Sequence, residues 1–174
     1  MTPPIEPDTK NWTWVLEKTC TECGFTAAEV EVPELGSLIR ANAAVWVEAL
    51  ARPDARTRPR DDVWSPVEYG AHVRDVHRLF AVRVRMMLEQ DCPTFANWDQ
   101  DATALAERYD LADPATVSVE LVDAAEAVAA IYDAVQPEQY ERAGLRSNGS
   151  EFTVTTIGRY HLHDDVHHLG DVAP

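Results

Sequence analysis

The sequence predicts an all-α protein, a four-helix bundle preceded by an irregular arm. Three observations carry that expectation. Four long segments repeat apolar residues at the helical period, cap or proline signals punctuate them, and strand-like alternation is scarce. With 174 residues, 45% of them hydrophobic, the chain is the size of one domain with a substantial core.

The arm is assigned to residues 1–32 and the bundle to 33–174. The arm carries Trp12, Trp14 and Cys20-Thr21-Glu22-Cys23, and Val30-Glu31-Val32 alternates as a short extended piece would. A first helix is expected over 33–51, opened by Pro33-Glu34, with Leu35, Leu38, Ile39, Asn42, Trp46 and Ala49 on its buried stripe. Asn42 on that stripe needs a hydrogen-bond partner if buried. Residues 52–63 are polar and proline-punctuated, a linker. Ser65-Pro66-Val67-Glu68 is a capping box with proline at the first helical position, and it opens a second helix over 66–90 that stops before Pro93. Its stripe is Tyr69, Val73, Val76, Phe80, Val84 and Met87. A short helix is expected around Thr103–Tyr109. Asp113-Pro114 opens the next long one, buried through Val117, Leu121, Ala125, Val128, Tyr132 and Val135 and ended before Pro137. Ser147-Asn148-Gly149-Ser150 marks a turn that can join Leu145 to Phe152 as a small hairpin, and a last helix runs from about Thr153 to Gly170.

Thirty acidic against fifteen basic residues give a net charge of -15, which repels a phosphate backbone; no nucleic-acid partner is expected. Neither a membrane-length apolar run nor a basic-then-apolar start is present, so a cytoplasmic protein with no membrane partner is expected. An odd count of three cysteines agrees with reduced thiols. Arg74, Arg78 and Arg83 are candidates for binding a substrate carboxylate, although basic residues on a helix are more often solvated.

Four of the six histidines crowd into Tyr160-His161-Leu162-His163-Asp164-Asp165-Val166-His167-His168. On a helix His163 and His167 stand one turn apart on one face, a spacing that can ligate one metal; Tyr160 shares that face. Asp164 with His168 is a rival pair at the same spacing. A third ligand must come from another helix, and periodicity leaves His72 and His77 both open. Asp164 and Asp165 can also orient imidazoles from outside the ligand shell.

Two stretches resemble the DinB-like (YfiT-like) superfamily of metal enzymes: Trp64-Ser65-Pro66-Val67-Glu68-Tyr69-Gly70-Ala71-His72, and His163-Asp164-Asp165-Val166-His167-His168-Leu169. The resemblance covers most of 33–172 and implies an up-down-down-up bundle. It also implies a divalent metal, zinc or nickel, bound by one histidine of the second helix and two of the last: His72, His163 and His167. Many members carry His-x-x-His-His with the outer pair binding. Matched on His167-His168, that pattern would select Asp164 and His168; two imidazoles favour His163 and His167. The segment from Asp8 to Glu17, with Cys20 and Cys23, is similar to an actinobacterial branch and suggests a mycothiol setting.

Three ligands leave positions open, the pattern of a catalytic site, and a metal that binds sulfur can present a thiolate at neutral pH. The leading expectation is therefore transfer of a low-molecular-weight thiol such as mycothiol to an electrophilic small molecule, with a homodimer left open. The alternatives are a metal-dependent hydrolase and a non-enzymatic metal-binding or stress-response domain. Cys20 and Cys23 are expected to be inert: a structural zinc needs four ligands and Cys92 is the only other thiol.

Overall fold

The computed structural model describes residues 5, 7 and 10–173. Five α-helices and three short strands follow the arm: α1 Leu35–Leu50, α2 Pro66–Glu89, β1 Thr94–Phe95, α3 Gln100–Ala106, α4 Pro114–Ala134, β2 Ala143–Arg146, β3 Glu151–Thr153 and α5 Val154–Asp171. The four long helices form the bundle. α4 packs against both α1 and α2, and α5 packs against the same two. Among the described residues no helix is long and apolar enough to cross a membrane.

Local chemistry sets the boundaries. At the start of α2, the Ser65 hydroxyl accepts from the Glu68 amide, and Glu68 Oε2 accepts from the Ser65 amide at 2.9 Å; Pro66 needs no partner for its missing N–H. Arg58 clamps the same carboxylate, with Nε 2.9 Å from Oε2. The polar stretch after α1 is therefore tied down by a charge pair that burial strengthens. Asp113 caps α4 by accepting from the Thr116 amide, and Thr153 with Thr156 does the same for α5. α2 ends at Glu89, short of Pro93, as a proline-restricted backbone requires.

The expected stripes of α2 and α4 are buried from Val73 to Met87 and from Val117 to Val135. Leu38 departs from expectation at 38% exposed, because it lies at the edge of the α1 stripe. Asn42 is buried, and its Oδ1 finds no hydrogen-bond partner. Gly158 lets α5 approach α1: a Cβ there would stand 2.4 Å from Leu35 Cδ1 and 3.1 Å from Tyr132 Cε1.

The expected hairpin forms, with Gly144 opposite Phe152 and Leu145 opposite Glu151, and β1 adds to β2 in parallel. Sequence periodicity missed β1, since two residues are too few to alternate. The short helix starts earlier than expected, at Gln100, with Asp99 as its cap. It is cut from the following 3-10 turn by Arg108 in the left-handed region (φ 51). Val30 and Glu31 are extended but form no strand; Val32–Glu34 instead makes a 3-10 turn feeding α1. The arm itself coils in 3-10 turns at Trp12–Leu16 and Ala27–Glu29 and lies against α5, burying Val15 and Cys20.

Candidate metal centres

Three pairs spaced i,i+4 project from α5 in three directions. At about 100° per residue, the His163/His167 pair points about 160° from His161/Asp165, and Asp164/His168 lies between them, about 60° from the latter. Each direction meets a different partner. Asp164 and His168 join His72 of α2; His163 and His167 join Cys20 and Cys23 of the arm; His161 and Asp165 join His77 of α2. In each cluster one ligand atom per residue lies within 4.8 Å of the others.

The expected set His72, His163 and His167 is therefore divided between two clusters. His72 faces the Asp164/His168 pair, while the other two histidines turn toward the arm. Two pairs about 100° apart on one helix cannot both point at a single residue of α2.

In the first cluster, His72 Nε2 stands 3.3 Å from Asp164 Oδ1, and His168 Nε2 stands 3.7 Å from the same oxygen. Both nitrogens of buried His72 and Oδ1 of Asp164 lack hydrogen-bond partners. A buried polar atom without a partner costs about 1–3 kcal/mol. A cation bound by His72 Nε2 and Asp164 Oδ1 removes that cost for these two atoms, so the donor set fits a divalent metal. His168 Nδ1 donates to Asp171 Oδ2 at 2.8 Å, which leaves Nε2 as the lone-pair nitrogen facing the cluster. Burial pushes the Asp164 carboxyl up, but the charges of His168 and His72 outweigh it and hold the group well below the ordinary carboxylate range.

Aromatic rings wall this cluster. Trp98 stacks on His72 with centroids 5.4 Å apart, Trp64 lies at 5.6 Å, and Tyr69 packs on His168 at 5.0 Å. Above it opens a cavity of about 620 Å³ whose lining includes Trp12, Trp98, Arg146, Tyr160 and Asp164. Arg146 is 9% exposed, and its guanidinium lies 5.6 Å from the Tyr160 ring centre. Sequence reasoning missed Arg146 and Trp98, since each lies outside the helices and reaches the cavity only through the sheet and the loop after β1.

The second cluster is enclosed by Trp12, 4.9 Å from His167, and Phe25, 5.6 Å from His163. Cys20 Sγ is 3.8 Å from His167 Nδ1. Burial and the charge of His167 push His163 down to about 4, and burial lifts the Cys23 thiol to about 11. The third cluster lies inside the bundle. His77 Nδ1 and His161 Nε2 share a hydrogen bond of 2.9 Å, Tyr132 Oη lies 3.3 Å from His161 Nδ1, and both Asp165 oxygens lack a partner.

The candidate arginines are held by the protein itself. Arg74 pairs with Asp75 and Glu120, Arg78 with the same two, and Arg83 donates to the Ala96 carbonyl between Phe80 and Phe95.

This is a helical bundle with groups of side chains that could hold a metal ion under an aromatic cleft. A family model described as the DinB superfamily matches residues 37–172, and the chain belongs to that superfamily. The chain is also similar in fold to YfiT from Bacillus subtilis, described as "a probable metal-dependent hydrolase with an unusual four-helix bundle topology". The identity is 18% and the TM-score 0.68, over 98% of this chain and 94% of that one. No curated protein matches.

Proposed function

We propose that this protein is a metal-dependent enzyme acting on a small electrophilic molecule, with a divalent ion, zinc or nickel, held by His72, Asp164 and His168. The observation that carries this reading is the meeting of those three side chains, with unsatisfied buried atoms on His72 and Asp164, beneath the aromatic cavity. An ion there supplies Lewis-acid chemistry and brings the pKa of a water or thiol ligand toward neutrality. The residues supply the rest. Asp171 fixes the His168 ring, Trp64 and Trp98 exclude water from one side, and Arg146 offers a cation to an anionic part of the substrate.

The nucleophile we assign is the thiolate of a low-molecular-weight thiol of the mycothiol type. Trp12, Trp64, Tyr69 and Trp98 give the cavity the flat apolar walls on which a sugar-like ring packs. The chain offers no thiol of its own, since Cys20 and Cys23 face His163 and His167 and Cys92 is exposed. A reducing cytoplasm is the setting this chemistry requires. Hydrolysis is the second reading. Two imidazoles and one carboxylate are the donor set of several zinc hydrolases, and the similar fold of YfiT is described as that of a hydrolase.

The test incubates metal-loaded protein with mycothiol and a chlorobimane, and separately with activated esters and no thiol. Thiol-dependent conjugation that His72→Ala abolishes supports transfer. Ester hydrolysis without thiol, lost in the same variant, supports the second reading. Neither activity differing from His72→Ala removes the enzyme assignment.

A further inference from the structure

The cluster formed by the arm and α5 is separate from the proposed catalytic one, and its composition is different. It holds two thiols and two imidazoles, brought together from segments far apart in the chain. We infer that Cys20, Cys23, His163 and His167 form a second, structural metal site that binds one zinc ion and fastens the N-terminal arm to α5.

The local backbone is shaped for this. The Cys20 amide donates to the Phe25 carbonyl at 2.8 Å, and the Gly24 amide donates back to the Cys20 carbonyl at 2.8 Å. Gly24 adopts φ +76, a left-handed turn immediately after Cys23 that an L side chain would strain. The tight loop carries both sulfurs to the face that meets α5. There, the i,i+4 spacing of His163 and His167 sets their rings 5.2 Å apart and tilted to one another.

The distances suit zinc. With Zn–S about 2.3 Å and Zn–N about 2.0 Å, two ligands of a tetrahedral ion lie about 3.3–3.8 Å apart. Cys20 Sγ and His167 Nδ1 are already 3.8 Å apart, and no pair in the cluster exceeds 4.8 Å. His163 Nε2 is buried without a hydrogen-bond partner. Glu22, between the two cysteines, sets its Oε2 3.6 Å from His167 Nε2, which leaves Nδ1 toward the sulfur.

Binding breaks two S–H bonds. Each sulfur keeps its electron pair and donates it to the ion, two protons leave to solvent, and both imidazoles bind neutral. No oxidation state changes, and two thiolates balance the dication. Four protein ligands leave no open position, so the site holds structure and does not turn over substrate. Zinc here supplies order to an arm whose described residues bury few large side chains of their own.

The test uses the full chain, purified anaerobically with zinc, as the His72→Ala variant, so that the proposed catalytic site does not contribute. X-ray absorption should show one zinc with two sulfur and two nitrogen neighbours. Cobalt substitution should give a thiolate-to-metal charge-transfer band that Cys20→Ser abolishes. If the serine variant fails to fold, Cys23→His keeps four ligands, and its zinc should show a single sulfur. Chelation should remove amide-exchange protection from the arm while the α2–α4 interface keeps it. A zinc shell without sulfur, an ion retained unchanged in Cys20→Ser, or a Cys20–Cys23 disulfide in the anaerobic protein would each overturn the inference. None of these outcomes bears on the His72 site, whose ion is read separately in the wild-type chain.

Discussion

His72 Nε2 stands 3.3 Å from Oδ1 of Asp164, and neither atom has a hydrogen-bond partner. Both lie close enough to a ring nitrogen of His168, within 4.8 Å, for one ion to reach all three side chains.

That geometry separates the metals by residue. In zinc-loaded protein, His72→Ala, Asp164→Ala and His168→Ala should each lower the stoichiometry by one ion and leave the sulfur-bound ion in place. His163→Ala should lose the other ion. Elemental analysis with X-ray absorption reads both. Loss of the ion at the His72 site in His163→Ala, with His168→Ala unaffected, would restore the set expected from the sequence.

Asp171 acts through His168. Removing the carboxylate that accepts from Nδ1 frees the ring to rotate and to exchange tautomers. Asp171→Asn should weaken metal affinity by about 10–100-fold while the melting temperature of the metal-free protein barely moves. Competition with a chromogenic chelator measures it, and unchanged affinity would show that the ring is held by Tyr69 packing alone.

The Arg58–Glu68 pair should dominate the stability of the segment between α1 and α2. Glu68→Ala removes a capping box and leaves Arg58, 13% exposed at its side chain, without this carboxylate. A loss of about 3–5 kcal/mol in urea unfolding is expected. A loss under about 1 kcal/mol would mean that solvent screens the pair as it does at a surface.

The buried triad sets a pH dependence. Burial holds His77 neutral, its pKa down to about 4, and lowers His161 as well; burial and the Asp164 charge raise Asp165 well above the ordinary carboxylate range. Tyr132 faces the same triad from α4. Unfolded, the histidines titrate near 6.5 and the aspartate near about 3.9. As pH falls below about 6.5 the unfolded chain protonates two imidazoles that burial keeps neutral in the folded chain, so the histidines' contribution to stability rises with pH there, while the raised Asp165 carboxyl opposes that rise. Asp165→Asn removes the opposing carboxyl and should steepen the slope below that point. Equal slopes for both proteins in urea titrations across the range would place an ionised carboxylate in the triad.

Sequence alone determined the four long helices and their approximate limits. Ser65-Pro66-Val67-Glu68, Asp113-Pro114 and the apolar stripes act within a few residues, so periodicity and capping chemistry read them directly. It also placed candidate metal ligands on the last helix, because i,i+4 spacing is a property of any helix. What it left open was which pair faces which partner. His163 and His167 looked the better pair as two imidazoles, yet the rotation of α5 about its axis turns them to the arm and gives His72 an aspartate and a histidine. That rotation is fixed by packing spread along the helix, by Ile157 and Leu162 in the core and by Gly158 against Leu35. Likewise, Cys20 and Cys23 looked two ligands short of a site, and only the tertiary structure brings the missing pair from the far end of the chain. Helical spacing is local and legible; the meeting of distant segments depends on the summed packing of four helices, which no short stretch encodes.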